Sequence, residues 1–199
     1  MLKLYDFTLS GNCYKVRLLL SLLGLDYETV AVDFKGGEHK QPPFLQLNPM
    51  GQVPVLVDGD DVVIRDSQAI LVYLARRYGR EDWFPVEAEP MSKVVQWLST
   101  AAKDIANSLA AARLHYLFGA SGDMEVLEKQ SHALLKVIND HLAEQHWLEL
   151  ERPTIADIAC FPYIGLAGDA RISLDAHPNV VTWLQRVKQL PGYVSMPGL

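Results

Sequence analysis

The chain reads as a small α/β domain followed by an all-helical domain. Three observations carry this. Residues 1–80 alternate strand-like and helix-like apolar periods. Residues 81–90 change character: after Gly79 they hold Pro85, Pro90 and the acidic Glu81, Asp82, Glu87 and Glu89, a linker composition. From 91 to 199 the apolar residues recur at helical spacing, with no strand-like run bounded by turns.

The elements follow in order. Leu2-Lys3-Leu4-Tyr5-Asp6-Phe7 alternates as a strand buried on one face does, and Val16, Leu19, Leu20 and Leu23 then recur at helical spacing. Between them lies a tight turn ending in Ser10-Gly11-Asn12, residue types that cap helices. An anion beside Ser10 would meet the free N–H groups and the positive end of that helix. Gly24 stops the helix and Tyr27 to Val32 alternates as a second strand, which makes a parallel strand–helix–strand unit.

A polar segment from Lys35 to Gln41 leads to a short irregular helix bounded by Pro42-Pro43 and Pro49. Asp58-Gly59-Asp60-Asp61 separates two apolar runs and predicts a hairpin. Asp66-Ser67 then opens a helix with Ile70, Leu71, Leu74 and Tyr78 on one face, stopping at Gly79. In the second half the spacing predicts helices over about 91–118, 123–146, 154–169 and 178–190.

Of the 199 residues, 49% are hydrophobic, enough for real cores. A net charge of −6, with Lys and Arg scattered, argues against nucleic acid as a partner. Two cysteines, Cys13 and Cys160, make neither a disulfide framework nor a zinc site, and no metal is expected. The run from Leu18 to Leu25 is interrupted by Ser21 and Gly24 and falls well short of the roughly 20 residues of a membrane span. A cytoplasmic protein with neither leader nor membrane segment is the expectation.

This order of elements, with four local motifs, resembles the glutathione transferase family. The motifs are the Ser10 turn, Asn48-Pro49-Met50-Gly51-Gln52-Val53-Pro54, Asp66-Ser67-Gln68-Ala69-Ile70 and Pro153-Thr154-Ile155-Ala156-Asp157-Ile158-Ala159. The likeness covers nearly the whole chain and is greatest to bacterial serine-type members, near the zeta and theta groups. It implies a thioredoxin-like glutathione-binding domain before a helical bundle, glutathione as co-substrate, no metal, and a homodimer.

Carried onto these residues, the resemblance makes Ser10 the hydroxyl that activates the glutathione thiol, unless it is only a helix cap. Asn12 either assists the thiolate or caps the helix. Cys13 stands where the thioredoxin motif has its second cysteine; with Ser10 at the first position no internal disulfide forms there, and Cys13 is either a packed side chain or a thiol activated by the helix start.

Val53-Pro54 resembles the family's pair with a cis proline, whose Val53 backbone pairs with the cysteinyl part of the peptide. Asp66 and Ser67 would meet the γ-glutamyl ammonium and carboxylate, Gln52 the peptide backbone, and His39 or Lys40 the glycine carboxylate. Leu109, Arg113, Tyr116 and Leu117 share one helix face and either line the co-substrate pocket or pack between the domains.

The implied reaction is addition of glutathione to an electrophilic, hydrophobic co-substrate. Two alternatives remain. A maleyl-type isomerase, as in zeta members, would carry Ser-Ser-Cys where this chain has Ser10-Gly11-Asn12. A non-catalytic binding or regulatory protein would tend to have lost the turn hydroxyl or the acidic-serine pair, and all three residues stand here.

Overall fold

The computed structural model describes residues 1–199, apart from the side chain of Arg80. Four strands, β1 (Leu2–Asp6), β2 (Tyr27–Ala31), β3 (Val55–Asp58) and β4 (Val62–Arg65), form one sheet in the order β2-β1-β3-β4. β1 runs parallel to β2 and antiparallel to β3, with Leu4 opposite Leu56, and β3 and β4 are the expected hairpin. The parallel pair is joined by α1 (Gly11–Leu22), as a parallel connection requires.

Alternation in β1 puts Leu2, Leu4 and Asp6 on the buried face. Asp6 is tolerated there because Arg17 Nη1 of α1 reaches its carboxylate at 2.5 Å, and a buried charge needs such a partner. α3 (Ser67–Arg77) packs beside α1, and Leu18, Leu19, Leu20, Ile70, Leu71 and Leu74 are fully buried.

The second half holds α5 (Ala88–Thr100), a π-helical stretch Ala101–Ala110, α6 (Ala111–Phe118), α7 (Met124–Glu144), α8 (Ile155–Gly165) and α9 (Pro178–Lys188). α8 is buried on nearly every side and packs against α1, α3 and α5, so one apolar core runs from Leu2 through to Met196. A helix apolar all round belongs in such a position. Its start is fixed by Thr154, whose hydroxyl accepts from Ala156 N at 3.2 Å, and by Asp157, whose carboxylate accepts from Thr154 N at 2.9 Å.

Several boundaries differ from the sequence expectation. Two short helices, α2 (Pro42–Leu47) and α4 (Arg80–Trp83), complete the list. α4 overlaps the segment 81–90 expected to be a linker, and α5 starts at Ala88, ahead of Pro90, which occupies the first turn where its missing N–H costs nothing. The helix expected over 154–169 ends at Gly165 and continues as a 3₁₀ turn, Ala167–Ala170. Another 3₁₀ turn, Glu38–Lys40, stands in the segment expected to be loop. Among the described residues no helix is long and apolar enough to cross a membrane.

Candidate functional site

The turn between β1 and α1 brings the first candidate into place. Ser10 is the N-cap of α1, with its N–H bonded to Phe7 O at 2.8 Å and its Oγ accepting from Cys13 N at 3.2 Å. Because the hydroxyl is the acceptor in that cap, its own proton is free to be donated outward. The next residue, Gly11, is required by close packing: a Cβ there would lie 2.8 Å from the Tyr163 ring of α8. Asn12 follows, and its Oδ1 lies 3.4 Å from the Ser67 hydroxyl, joining the starts of α1 and α3.

At α3, Asp66 is the N-cap, with Oδ1 accepting from Gln68 N at 2.9 Å and Ala69 N at 3.1 Å. Its φ of +75° lies where a side chain is strained, a feature that clusters at ligand sites. The Ser67 hydroxyl also contacts Gln68 Oε1. Between these helix starts is a pocket of about 140 Å³, and Asn12, Gln52, Val53, Pro54, Asp66 and Ser67 contribute to its wall. The Val53–Pro54 peptide is cis.

Three further residues complete the wall: Asn48, Met50 and Arg65. Asn48 is buried and shapes the loop, donating to Gln52 O at 2.7 Å and accepting from Met50 N at 3.0 Å. A signal for it was available, since Asn48 opens the same motif as Gln52 and Pro54. Arg65 had none, because it reads only as the last strand residue.

Other candidates stand elsewhere. Ser10 is not in the pocket wall; it stands two residues before Asn12, at the very start of the helix. Lys40 and His39 do not line the pocket either. Lys40 Nζ reaches the carbonyls of Met50 and Gly51 at 3.4 and 3.3 Å, while His39 stacks on Phe34 with ring centroids 4.2 Å apart. Burial, and next the Asp6 charge, push the Cys13 thiol up to about 12, so the activated-thiol alternative is set aside. Cys160 is likewise buried and raised by burial.

The co-substrate candidates need correction. Leu109 is fully buried in the core and offers no surface to a ligand. Arg113 is also buried, with Nε on Asp169 Oδ2 at 2.9 Å and Nη1 on Leu9 O at 2.8 Å, so it joins the two halves instead of facing a cleft. A helical period puts residues on one face but cannot say whether that face meets protein or solvent. Tyr116 is half-buried, with the Arg171 guanidinium over its ring at 4.2 Å, and Leu117 is exposed.

Three rings that the sequence reading passed over gather beside the Ser10 turn. Phe7 lies 4.9 Å from Phe34 and 6.2 Å from Phe118 between centroids, and Phe118, at the end of α6, is half exposed. No sequence pattern links residues so far apart.

The glutathione S-transferase N-terminal domain model matches residues 1–76, and the C-terminal domain model matches residues 115–191. The chain belongs to the glutathione S-transferase family. This transferase is 37% identical to Glutathione S-transferase 3 of Zea mays, over 96% of this chain and 91% of the relative. It is 30% identical to the disulfide-bond oxidoreductase YfcG of Escherichia coli, over 96% of this chain and 92% of that one. A solved glutathione S-transferase from Pseudomonas fluorescens superposes with a TM-score of 0.93 at 34% identity, covering 98% of both chains. The transferase's thioredoxin-like sheet and helical half thus agree with the family's architecture. Among the described residues no group of three His, Cys, Asp or Glu side chains is arranged to hold a metal.

Proposed function

We propose that this transferase binds glutathione between the starts of α1 and α3, ionises its thiol with the Ser10 hydroxyl, and adds the sulfur to an electrophilic carbon of an apolar co-substrate. The observation that carries this is the Ser10 cap: Oγ accepts from Cys13 N, so the hydroxyl keeps its own proton to donate to a ligand at the positive end of α1. A thiol with a pKa near 8.5 is only a few per cent ionised at neutral pH. One hydrogen bond to the charged form contributes about 1.5–3 kcal/mol, which is one to two pKa units.

Around that donor, Asp66 would take the γ-glutamyl ammonium, while the Ser67 hydroxyl and the first N–H groups of α3 would take its carboxylate. Gln52 and the Val53 backbone would hold the middle of the peptide, with Pro54 keeping that edge free. Lys40 or His39 would meet the glycine carboxylate from outside that pocket. The electrophile would lie against Phe7, Phe34 and Phe118, with Tyr116 and Leu117 farther along α6. Asn12, whose Oδ1 accepts from Ser67, would hold that side chain until the carboxylate replaces it as acceptor. A homodimer acting in the cytoplasm is part of the same reading.

The test is a thiolate absorbance titration of the glutathione complex. Wild type should show a bound-thiol pKa below that of free glutathione. Ser10→Ala should raise it by about 1–2 units and lower turnover strongly, with glutathione affinity changed only a few-fold, since the remaining contacts stay. An unshifted thiol in the wild-type complex would sink the reading.

A further inference from the structure

The turn that carries Ser10 has three successive backbone carbonyls, and each meets a different donor. Phe7 O accepts from Ser10 N at 2.8 Å, Thr8 O from Arg17 Nη2 at 3.0 Å, and Leu9 O from Arg113 Nη1 at 2.8 Å. Both arginines are fixed in turn by an aspartate, Arg17 by Asp6 at 2.5 Å and Arg113 by Asp169 at 2.9 Å.

Arg17 belongs to α1, the helix that the turn leads into. Arg113 does not: it reaches across from α6, and its aspartate lies in the 3₁₀ turn after α8. The Arg113 side chain is 3% exposed. Removing a guanidinium from water is unfavourable, and an apolar side chain of similar length would fill the space without that cost. What the arginine adds is direction, because its planar fork can hold Asp169 with one nitrogen and Leu9 O with another at a fixed angle. The carbonyl it holds belongs to the peptide that enters Ser10. From the same half of the molecule, Tyr163 presses on Gly11, the residue after Ser10.

We propose that Arg113, anchored by Asp169, is a positioning residue that aims the Ser10 hydroxyl by fixing the Leu9–Ser10 peptide. The inference rests on the reading of Ser10 as the thiol-activating donor. Hydrogen bonds weaken steeply with misalignment, so a rotation of that peptide would weaken the donor without removing any glutathione contact. The helical half thereby takes part in thiol ionisation.

The experiment is the same thiolate titration, with steady-state kinetics, on Arg113→Met, Arg113→Lys, Asp169→Asn and the double variant Ser10→Ala/Arg113→Met. The bound-thiol pKa should rise by about one unit and kcat fall about tenfold in the Arg113 variants, with glutathione affinity within about threefold. Arg113→Lys keeps the charge but not the fork, so it should behave as Arg113→Met does. Asp169→Asn, which weakens the anchor alone, should shift the pKa in the same direction and keeps the test open if Arg113→Met fails to fold.

In the Ser10→Ala background, Arg113→Met should add nothing to the pKa, because a residue acting through Ser10 has nothing left to aim. Variants that lose thermal stability while keeping the wild-type thiol pKa would overturn the inference and leave Arg113 as a structural clamp. So would a further pKa rise in the double variant, which would mean that the charge acts directly on the sulfur. If Ser10→Ala itself leaves the bound-thiol pKa unmoved, the reading of Ser10 falls, and the inference falls with it.

Discussion

At Cys13 two influences oppose each other. Hydrogen bonds at the Ser10 side chain and the Phe7 backbone would favour a thiolate; burial and the Asp6 charge oppose it, and burial is the larger, keeping the group a protonated thiol with its pKa up at about 12. Alkylation by iodoacetamide at pH 8, followed by mass spectrometry, should therefore modify Cys13 in the native protein at least about 100-fold more slowly than in the denatured chain. Fast native labelling would return Cys13 to the list of reactive groups. Ser10, three residues earlier, keeps a side chain that is only half-buried, so its hydroxyl can meet a ligand while the thiol cannot. Neighbours on one helical turn are thus given different chemistry by their surroundings.

Among the elements, α8 decides how the two halves meet, and its first turn holds a buried acid. Asp157 accepts from Leu148 N at 3.0 Å, Thr154 N at 2.9 Å and Trp183 Nε1 at 2.9 Å, yet burial outweighs these donors and raises its carboxyl to about 6. A carboxyl whose folded value lies above its unfolded one favours the native state most below the unfolded value. That contribution fades as the pH rises through the folded one. The window here runs from the ordinary aspartate value of 3.8 to about 6.

The stability gap between wild type and Asp157→Asn, measured by urea unfolding, should therefore be wider at pH 4.5 than at pH 7. The difference is expected to be on the order of 1–3 kcal/mol. A gap that widens with rising pH would mean that the three N–H groups, not burial, set the acid's behaviour. The start of α3 likewise holds Asp66 at a positive φ and caps the helix with its carboxylate, and the proposed glutathione site would use the same turn.

Across the whole molecule, the continuous core from β1 to the C-terminal segment couples the glutathione half to the helical half. Arg113, Tyr163 and Phe118 are among the residues through which that coupling touches the Ser10 turn. Between the π-helical stretch and α7 lies an open groove of about 480 Å³, whose lining mixes the polar Lys103, Asp104, Asn107 and Gln130 with the apolar Leu134 and Val137. Val137, 62% exposed, sits there without a partner in the single chain. Sedimentation equilibrium at micromolar concentration should give twice the mass of the chain, in keeping with the proposed homodimer. A monomer mass would remove that part of the reading.

The strands, the caps and the motifs could be read from local pattern, because each depends on residues within about four positions of one another. Alternation placed β1, Ser10 and Asp66 announced the starts of α1 and α3, and the segment from Asn48 to Pro54 was legible as a unit. α4 escaped because a single turn of helix between Gly79 and Pro85 has no period to read. What each helical face meets depends on packing: Leu109 and Arg113 share a face with Tyr116, but packing buried the first two and left Tyr116 partly open. It also brought Asn12 to Ser67, Phe118 to Phe7 and Arg113 to Leu9 O. Those contacts depend on how α8 docks against α1 and α3, a summed burial of many side chains that no local pattern records.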